Sequence, residues 1–255
     1  MSNISGISNA SYSDYGSFAS GKKINSAADG AAELSIIEKE DTQTRGLKAG
    51  ANNIQSAKDM LNVSDAALGS ISDYLQRIRE LAVRASNTAT VSDSDRANMQ
   101  KEVDQLKQGI ADVANYTSFN TKPLLDGSNP TFNIATDSNG NSMTVSGSNA
   151  TLDALGIADF DLTGKFSIDD IDKAIDTVSS QRSSAGAQSN ALEYAYNYNT
   201  SAALYSIGSK SRLEDLDFAE AISEKKKQET LQEYVLFMQK KKAEEEKQKV
   251  NVLFT

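Results

Sequence analysis

The chain has 255 residues, of which 38% are hydrophobic and 7% aromatic, with two Pro and no Trp, a composition that favours an elongated helical protein with a thin core. Its formal net charge of −9 argues against nucleic acid or anionic membrane as a partner, and no apolar run approaches the roughly 20 residues that membrane insertion takes. Because the chain lacks both Cys and His, we expect no catalytic residues, no cofactor and no metal site.

The first 23 residues are rich in Ser, Gly, Asn and Tyr. They contain neither a basic leader nor a hydrophobic signal segment, so classical secretion is not indicated. Their apolar residues are too sparse to stabilise a helix, and we expect little structure here without a partner.

The strongest helical pattern predicts one long helix from about Ala32 to Ser86. Its apolar residues alternate at spacings of three and four, as in a heptad repeat. A second apolar track that includes Met60 and Leu81 runs beside the first, so this helix should have at least two neighbours. The main-track residues assigned to helix packing are Ile54, Leu61, Leu68, Ile71, Leu75 and Ile78.

A second helix is predicted from about Asp93 to Tyr116, where the same spacing returns. Ser92 and Asp95 have the three-residue separation of a capping box at its start. The preceding loop is short, so this helix should fold back antiparallel on the first.

A small β-hairpin is predicted at about residues 130–147. Phe132 and Ile134 alternate with polar residues, as do Met143 and Val145 beyond the Asn-Gly turn at 139–140. Acidic and amide residues in this turn resemble the start of a calcium loop. The Gly falls at the fourth position rather than the sixth, so the turn interpretation is favoured.

A third helix is predicted from about Ser167 to Ser206. Its heptad track has polar gaps at Arg182, Ser189 and Asn199. Two long stripes of similar length most simply bury one another. The predicted fold is therefore mainly α, a long antiparallel rod of heptad-packed helices with a small β-hairpin region and paired terminal helices. The packing residues assigned on the third helix are Ile171, Ile175, Val178 and Leu192.

The C-terminal tail predicts a further helix, with a capping box at Ser211 and Glu214. The mixed Lys and Glu cluster at residues 240–249 is interpreted as a solvated helical face, with i,i+4 ion pairs between residues 240–242 and 244–246, rather than as a membrane or partner patch. The apolar residues that we assign to one face of this helix are Ile222, Leu231, Val235 and Met238.

Several long stretches now resemble a known family. The N-terminal stretches are SGKKINSAADGAAELSI, GLKAGANNIQSAKDMLNVSDAALGSISDYLQRIRELAVRASN and QKEVDQLKQGIADVANYTSFNTKPLLDG; the C-terminal ones are VSSQRSSAGAQSNALEYAYNYNTS and SRLEDLDFAEAIS. In this order and at both ends, they resemble bacterial flagellin, in a short form without variable outer domains. The resemblance implies an inner-tube domain from residues 1–31 and 208–255, and an outer-tube domain from residues 32–207.

The resemblance also implies a function and partners. The chain would polymerise with itself into the extracellular flagellar filament for motility, after export in an unfolded state through the flagellar export apparatus. Its further partners would be the flagellar cap and hook-junction proteins, a secretion chaperone on the C-terminal tail, and the host Toll-like receptor that senses flagellin. The receptor-contact residues implied by the family are Gln76, Arg77, Glu80, Leu81 and Glu102.

Two alternatives stay open at this point. One is a hook-filament junction protein, which is similar to flagellin at both ends. The other, from a different class, is a soluble coiled-coil signalling or adaptor protein, which would form a small stable oligomer.

Overall fold

The computed structural model describes residues 16–253, with side chains as far as residue 249. It confirms the mainly α class: its long helices are α1 (Ala31–Ala85), α2 (Asp93–Tyr116), α3 (Ile168–Glu214) and α4 (Phe218–Leu253). The strands form two antiparallel pairs, β1 (Ser118–Phe119) with β2 (Lys122–Pro123), and β3 (Thr131–Ala135) with β4 (Ser142–Ser146).

The chain divides into two compact units. Residues 43–204 form one unit, and residues 1–42 together with 205–255 form the other; we call them the central unit and the terminal unit. The expected inner-tube and outer-tube domains stay a prediction, because they are defined by contacts in a filament. The part of the expected inner-tube domain at residues 1–15 lies outside the described residues.

The predicted extents of α1 and α2 agree with the structure to within a residue at each end. The capping box of α2 is confirmed, since Ser92 Oγ accepts a hydrogen bond from Asp95 N and the Asp95 carboxylate accepts one from Ser92 N. These hydrogen bonds lower the pKa of Asp95, the side-chain bond from Ser92 contributing most. Local sequence signals were therefore sufficient to define this helix start.

Within the central unit, α3 runs antiparallel to α1. Arg79 Nε of α1 lies 2.6 Å from Asp172 Oδ1 of α3, and Arg182 Nε of α3 lies 2.8 Å from Asp65 Oδ1 of α1. Residues later in α3 therefore contact residues earlier in α1, as expected for antiparallel helices. The apolar faces of both helices contribute to one hydrophobic cluster. Of the ten residues assigned to helix packing, Ile175 is partly buried and the others are buried: Ile54, Leu61, Leu68, Ile71, Leu75, Ile78, Ile171, Val178 and Leu192.

Two of the polar gaps in the α3 heptad track make specific contacts. Arg182 forms the ion pair with Asp65, and the Asn199 amide donates to the carbonyl of Thr136 at 2.5 Å. A leucine at either position would bury more apolar area, but it would leave these polar partners without their hydrogen bonds. Arg182 therefore fixes α1 against α3, and Asn199 fixes the segment at Thr136 against α3.

The predicted β3–β4 hairpin is confirmed; its register places Phe132 opposite Val145 and Ile134 opposite Met143, so that residues 137–140 form the loop. Its end lies against α1 at Gly46 and Gly50, each of which costs about 1 kcal/mol relative to Ala inside a helix. A Cβ added at Gly50 would overlap the carbonyl of Thr136. A Cβ added at Gly46 would overlap Ser138. These glycines thus allow the hairpin to approach the helix backbone.

The predicted end of α3 at Ser206 and the capping box at Ser211 and Glu214 are wrong. The helix continues to Glu214, so both capping-box residues lie inside it. Tertiary contacts determine its end, because Lys23 N donates to Glu214 O at 2.7 Å and Leu216 N donates to Gly21 O at 2.9 Å.

The cap of α4 is Asp217 instead. Its carboxylate oxygen Oδ1 accepts hydrogen bonds from the backbone N–H groups of Ala219 and Glu220, at 3.0 and 3.2 Å. An aspartate at this position also favours the positive end of the helix dipole. The helix that it begins is uninterrupted from Phe218 to Leu253.

Candidate assembly and recognition surfaces

The helix α4 presents large apolar side chains to solvent along most of its length. Ile222, Leu231, Val235 and Met238, the residues assigned to its apolar face, are 46%, 55%, 43% and 36% exposed. A patch of this kind on a single chain marks a surface that another molecule covers.

The heptad track assigned from the sequence leaves out part of this surface. Tyr234, Leu236 and Phe237 are also exposed, at 60%, 59% and 63%, and they lie off the assigned track. The signal that identifies them is the unbroken apolar run YVLFM at residues 234–238, because consecutive residues point around the whole circumference of a helix. This part of α4 therefore needs neighbours on more than one side.

The charged run of α4 follows the apolar one. The predicted i,i+4 ion pairs between residues 240–242 and 244–246 are wrong, since no ion pair joins these triplets within the described part of the chain. An ion pair earlier in the helix joins Lys227 Nζ to Glu224 Oε1 at 3.7 Å. The six charges at 240–246 are exposed and remain available to a partner.

An ionic network centred on buried Glu214 ties together three segments of the terminal unit. Lys22 Nζ lies 2.5 Å from Glu214 Oε1, and Lys210 Nζ lies 3.6 Å from Glu214 Oε2 and 2.6 Å from Asp41 Oδ1. The hydrogen bond with Asp41, and then the charge of Glu214, raise the pKa of Lys210. Lys210 therefore stays protonated at neutral pH, and its contacts with Asp41 and Glu214 hold the last turn of α3 in place.

A groove of about 580 Å³ lies in the terminal unit beside the start of α4. Phe18 contributes to its lining and contacts Phe218 in a tilted arrangement, with ring centroids 6.2 Å apart. Lys225 Nζ lies 5.5 Å from the centroid of the Phe18 ring. Glu220 and Glu224 line the same groove. Its lining combines apolar surface with charges of both signs, which suits a protein segment as a ligand.

The residues assigned to receptor contact lie around Arg77. Arg77 Nε donates to Glu102 Oε1 and Arg77 Nη1 donates to Glu80 Oε2, both at 2.8 Å, and the two bonds raise the pKa of Arg77, Glu102 having the larger effect. Gln76 is exposed nearby on α1, whereas Leu81 is buried, with 4% of its surface exposed. The structure thus brings Arg77, Glu80 and Glu102 together on the surface and leaves Leu81 beneath it.

Among residues 16–253, no group of three or more acidic side chains is placed to hold a metal ion. No helix in the same range has an apolar stretch long enough to cross a membrane.

Comparison with protein-family models matches both halves of the chain. Residues 1–130 match the bacterial flagellin N-terminal helical region, and residues 168–253 match the bacterial flagellin C-terminal helical region. The flagellin of Bacillus subtilis (strain 168) is 32% identical over 265 aligned residues, which cover 88% of this chain and 86% of that protein.

Solved structures give a consistent result. The crystal structure of Bacillus cereus flagellin has a TM-score of 0.52 and 31% identity, and covers 58% of this chain and 88% of that one. A putative flagellar hook-associated protein from Vibrio parahaemolyticus has a TM-score of 0.62, and covers 73% of this chain and 100% of that one. Its identity of 17% makes the second likeness one of fold alone.

Proposed function

The chain belongs to the bacterial flagellin family and is a subunit of the flagellar filament, and from this premise we propose that α4 is the element through which copies of the chain associate. The central unit buries one large apolar cluster within a single chain, although Tyr194, Tyr198 and Leu204 of α3 are exposed. In α4 the apolar residues are exposed instead. Association of many copies would remove these side chains from water, at about 25 cal/mol per Å² of apolar surface.

The exposed apolar surface of α4 is the observation that carries this proposal. A helix that packs only against solvent gains too little from its own hydrogen bonds to offset the entropy of ordering its chain. Contact with other copies supplies the missing burial, so polymerisation stabilises α4 at the same time as it builds the filament. The proposed role of Ile222, Leu231, Val235 and Met238 is to form this inner contact.

Removal of α4 tests the proposal. A chain that ends at Asp217 keeps α3 complete, together with the contacts of Glu214 and Leu216 that end it. We expect this truncated chain to retain the folded central unit, measured by circular dichroism, and to form no filaments, measured by sedimentation and negative-stain microscopy. Normal filaments from the truncated chain would refute the role of α4.

A matched variant separates the loss of apolar contact from the loss of the helix. Leu231→Gln and Val235→Gln in the full chain keep the length and charge of α4 and remove two exposed apolar side chains. We expect this variant to assemble only at a higher protein concentration than the parent. Assembly at the parental concentration would show that these side chains make no contact in the filament.

We further propose that the filament is extracellular and built for motility, and that the chain has a structural rather than an enzymatic role. Its partners would be the cap and hook-junction proteins at the filament ends, and a secretion chaperone that binds the tail before export. The exposed apolar surface of α4 supports the chaperone proposal, since a subunit awaiting export has to be kept from premature association. Loss of a soluble chaperone complex on deletion of residues 218–255 is the expected result.

The two alternatives differ from a filament subunit in stoichiometry. A hook-filament junction protein would be present as a single ring, and a coiled-coil adaptor as a small oligomer in solution. Both family models that match the chain are flagellin models, so they favour the filament subunit over the two alternatives. We expect purified flagella to contain this chain as a repeating subunit along the filament, which immunogold labelling measures.

We propose host recognition as a second function of the free subunit. The exposed cluster of Arg77 with Glu80 and Glu102 supports it, because a pre-ordered guanidinium with two carboxylates presents directional donors and acceptors to a receptor. Leu81 would contribute by supporting this surface from below, since it is buried.

A further inference from the structure

The loop of the β3–β4 hairpin contains an Asn-Gly pair at residues 139–140, the only Asn-Gly pair in the chain. This pair predicts the turn, but neither filament formation nor receptor contact gives it a role. Residues 138–142 are exposed, so water reaches both members of the pair. In an Asn-Gly pair the asparagine side chain can react with the next backbone nitrogen, because glycine has no side chain to obstruct the approach.

The side-chain amide of Asn139 is not held by a neighbour. Among residues 16–249, the loop hydrogen bond of Asn139 is made by its backbone N–H, and no group binds its side-chain amide. By contrast, Asn141 Nδ2 donates to Asp137 Oδ2 at 2.5 Å, and Asn149 Oδ1 accepts hydrogen bonds from the backbone and side chain of Thr151. The Asn139 side chain can therefore rotate about its χ1 angle, whereas Asn141 and Asn149 are restrained.

Gly140 leaves space for this rotation. Its φ of +83° lies in the left-handed region, and a Cβ added to it would meet no atom within 4 Å. The Gly140 nitrogen is bonded to the main-chain carbonyl carbon of Asn139, so rotations within Asn139 are sufficient to bring this nitrogen against Asn139 Cγ.

From the free amide, the exposure and the open glycine, we infer that Asn139 is a self-modification site, at which the side-chain amide is converted to a carboxylate without an enzyme. The Gly140 N–H loses its proton to solvent, and the nitrogen attacks Asn139 Cγ. A bond from this nitrogen to Cγ forms while the bond from Cγ to Nδ2 breaks, and Nδ2 takes a proton from water and leaves as ammonia. The product is a five-membered succinimide ring.

Water then opens the ring at one of its two carbonyl carbons. Attack at Cγ gives an ordinary aspartate at position 139. Attack at the main-chain carbonyl carbon leaves Gly140 joined through Cγ, which is an isoaspartate with one more methylene group in the backbone. In total, one water is consumed, one ammonia is released, and no oxidant or reductant takes part. Each converted chain gains one negative charge beyond its formal net charge of −9.

Asp137 is the acidic group that faces the reacting pair. Its Oδ1 accepts hydrogen bonds from the backbone N–H groups of Asn139 and Asn141, at 2.8 and 3.0 Å. The side-chain bond from Asn141 lowers the pKa of Asp137 most, and the backbone N–H of Gly140 also contributes. The Gly140 nitrogen therefore reacts when this turn opens, which costs little free energy at an exposed loop tip.

Conversion of Asn139 changes the contacts of the hairpin with the helices. A carboxylate at 139 lies close to Asp137, and the two like charges oppose the closed turn. The loop is closed by Thr136 N, which donates to Asn141 O at 2.9 Å, while Thr136 O accepts from Asn199 of α3 at 2.5 Å. A longer backbone between residues 139 and 140 disturbs this spacing, so a converted chain should hold its hairpin less firmly.

Incubation of the purified full chain at neutral pH and physiological temperature tests the inference. Peptides from a proteolytic digest are separated by chromatography and weighed by mass spectrometry, and released ammonia is measured in parallel. We expect loss of the peptide that contains Asn139 and the appearance of two products of equal mass, aspartate and isoaspartate. Conversion at Asn139 should be several-fold faster than at Asn141 or Asn149.

The matched control is Asn139→Gln in the full chain. It keeps the amide, but the extra methylene group requires a six-membered ring, which forms far more slowly, so we expect no added charge at this position. A free peptide of residues 135–143 gives the rate without the fold. If Asn139 stays intact in the chain while the peptide is converted, the fold protects the amide and the inference is overturned. An equal gain of charge in the Asn139→Gln chain would overturn it as well.

Hydrogen exchange measures the effect on the hairpin. The N–H groups of Thr136 and Asn141 should exchange several-fold faster in the converted chain than in the fresh chain, while that of Ile110 in α2 should be unchanged. Unchanged exchange at both loop positions in a fully converted chain would refute the loosening of the hairpin. These measurements use the single chain and need no filament, so their failure and the failure of the proposed function are separate results.

Discussion

The central unit and α4 use apolar residues in opposite ways. In the central unit, α1 and α3 face each other, and residues such as Leu75 and Leu192 have none of their surface exposed. In α4, Leu231 and Phe237 are more than half exposed. The comparison teaches that one chain contains a region that buries its apolar faces within the chain and a region whose apolar residues are exposed, for which we propose another copy as the partner.

Charge placement shows the same difference. The ion pairs of Arg79 with Asp172 and of Arg182 with Asp65 join α1 to α3 inside the central unit. The Lys and Glu triplets of α4 form no such pairs with each other in the described part of the chain. Four predictions test this contrast, in order of decreasing effect on the stability of the single chain.

The largest effect is expected from a charge placed in the central core. Leu75→Asp should lower the free energy of unfolding by several kcal/mol, about 3–5, because it buries a carboxylate without a partner. Leu231→Asp is the matched control on α4 and should leave the melting temperature of the free subunit unchanged. Circular dichroism melts measure both. An equal loss in the two variants would remove the distinction between the regions.

The second prediction concerns the glycines. Gly50→Ala should destabilise the central unit by about 1–3 kcal/mol, because the new Cβ overlaps the carbonyl of Thr136. Gly186→Ala is the control in α3, where a Cβ would meet nothing within 4 Å, and it should stabilise by about 0.5–1 kcal/mol. Urea unfolding curves distinguish them. A Gly50→Ala variant as stable as the parent would contradict the packing described for the hairpin against α1.

The third prediction is a dependence on pH at the start of α2. The pKa of Asp95 is lowered in the folded chain, first by its hydrogen bond with the Ser92 hydroxyl. A lowered carboxyl pKa contributes stability above its unfolded value, about 3.9, and that contribution is lost as the pH falls through the folded value.

Thermal melts from neutral pH to below pH 4 therefore measure the cap. We expect Asp95→Asn to lower the melting temperature at neutral pH and to reduce the loss that the parent shows in acid. Parallel curves for the parent and the variant would mean that the Asp95 carboxylate makes no stabilising contact.

The smallest effect on stability is expected at the proposed recognition surface. Arg77→Ala removes an exposed side chain and should leave the melting temperature nearly unchanged, while it weakens binding of the free subunit to the flagellin-sensing receptor. Arg79→Ala is the control, since Arg79 is an exposed arginine of the same helix whose partner is Asp172. Surface plasmon resonance with the receptor ectodomain compares them, and equal affinity of the Arg77 variant and the parent would exclude Arg77 from the site.

Local patterns determined most of the secondary structure. The heptad spacing was sufficient for α1, the Ser92 and Asp95 capping box for the start of α2, and the alternating residues on either side of the Asn-Gly turn for the presence of the hairpin. These signals are readable because each depends on residues close together in sequence.

Tertiary structure decided what depends on distant residues. A capping pattern at Ser211 and Glu214 is locally reasonable, but Glu214 is buried against Lys22 and Lys210, and α3 continues as far as this residue. By sequence alone, Gly50 only lowers the stability of α1. The structure shows that the absence of a side chain there lets the carbonyl of Thr136 approach the helix. The sequence by itself determined which residues are apolar and at what period, whereas only the fold decided which apolar faces are covered within the chain, because burial depends on contacts between segments far apart in sequence.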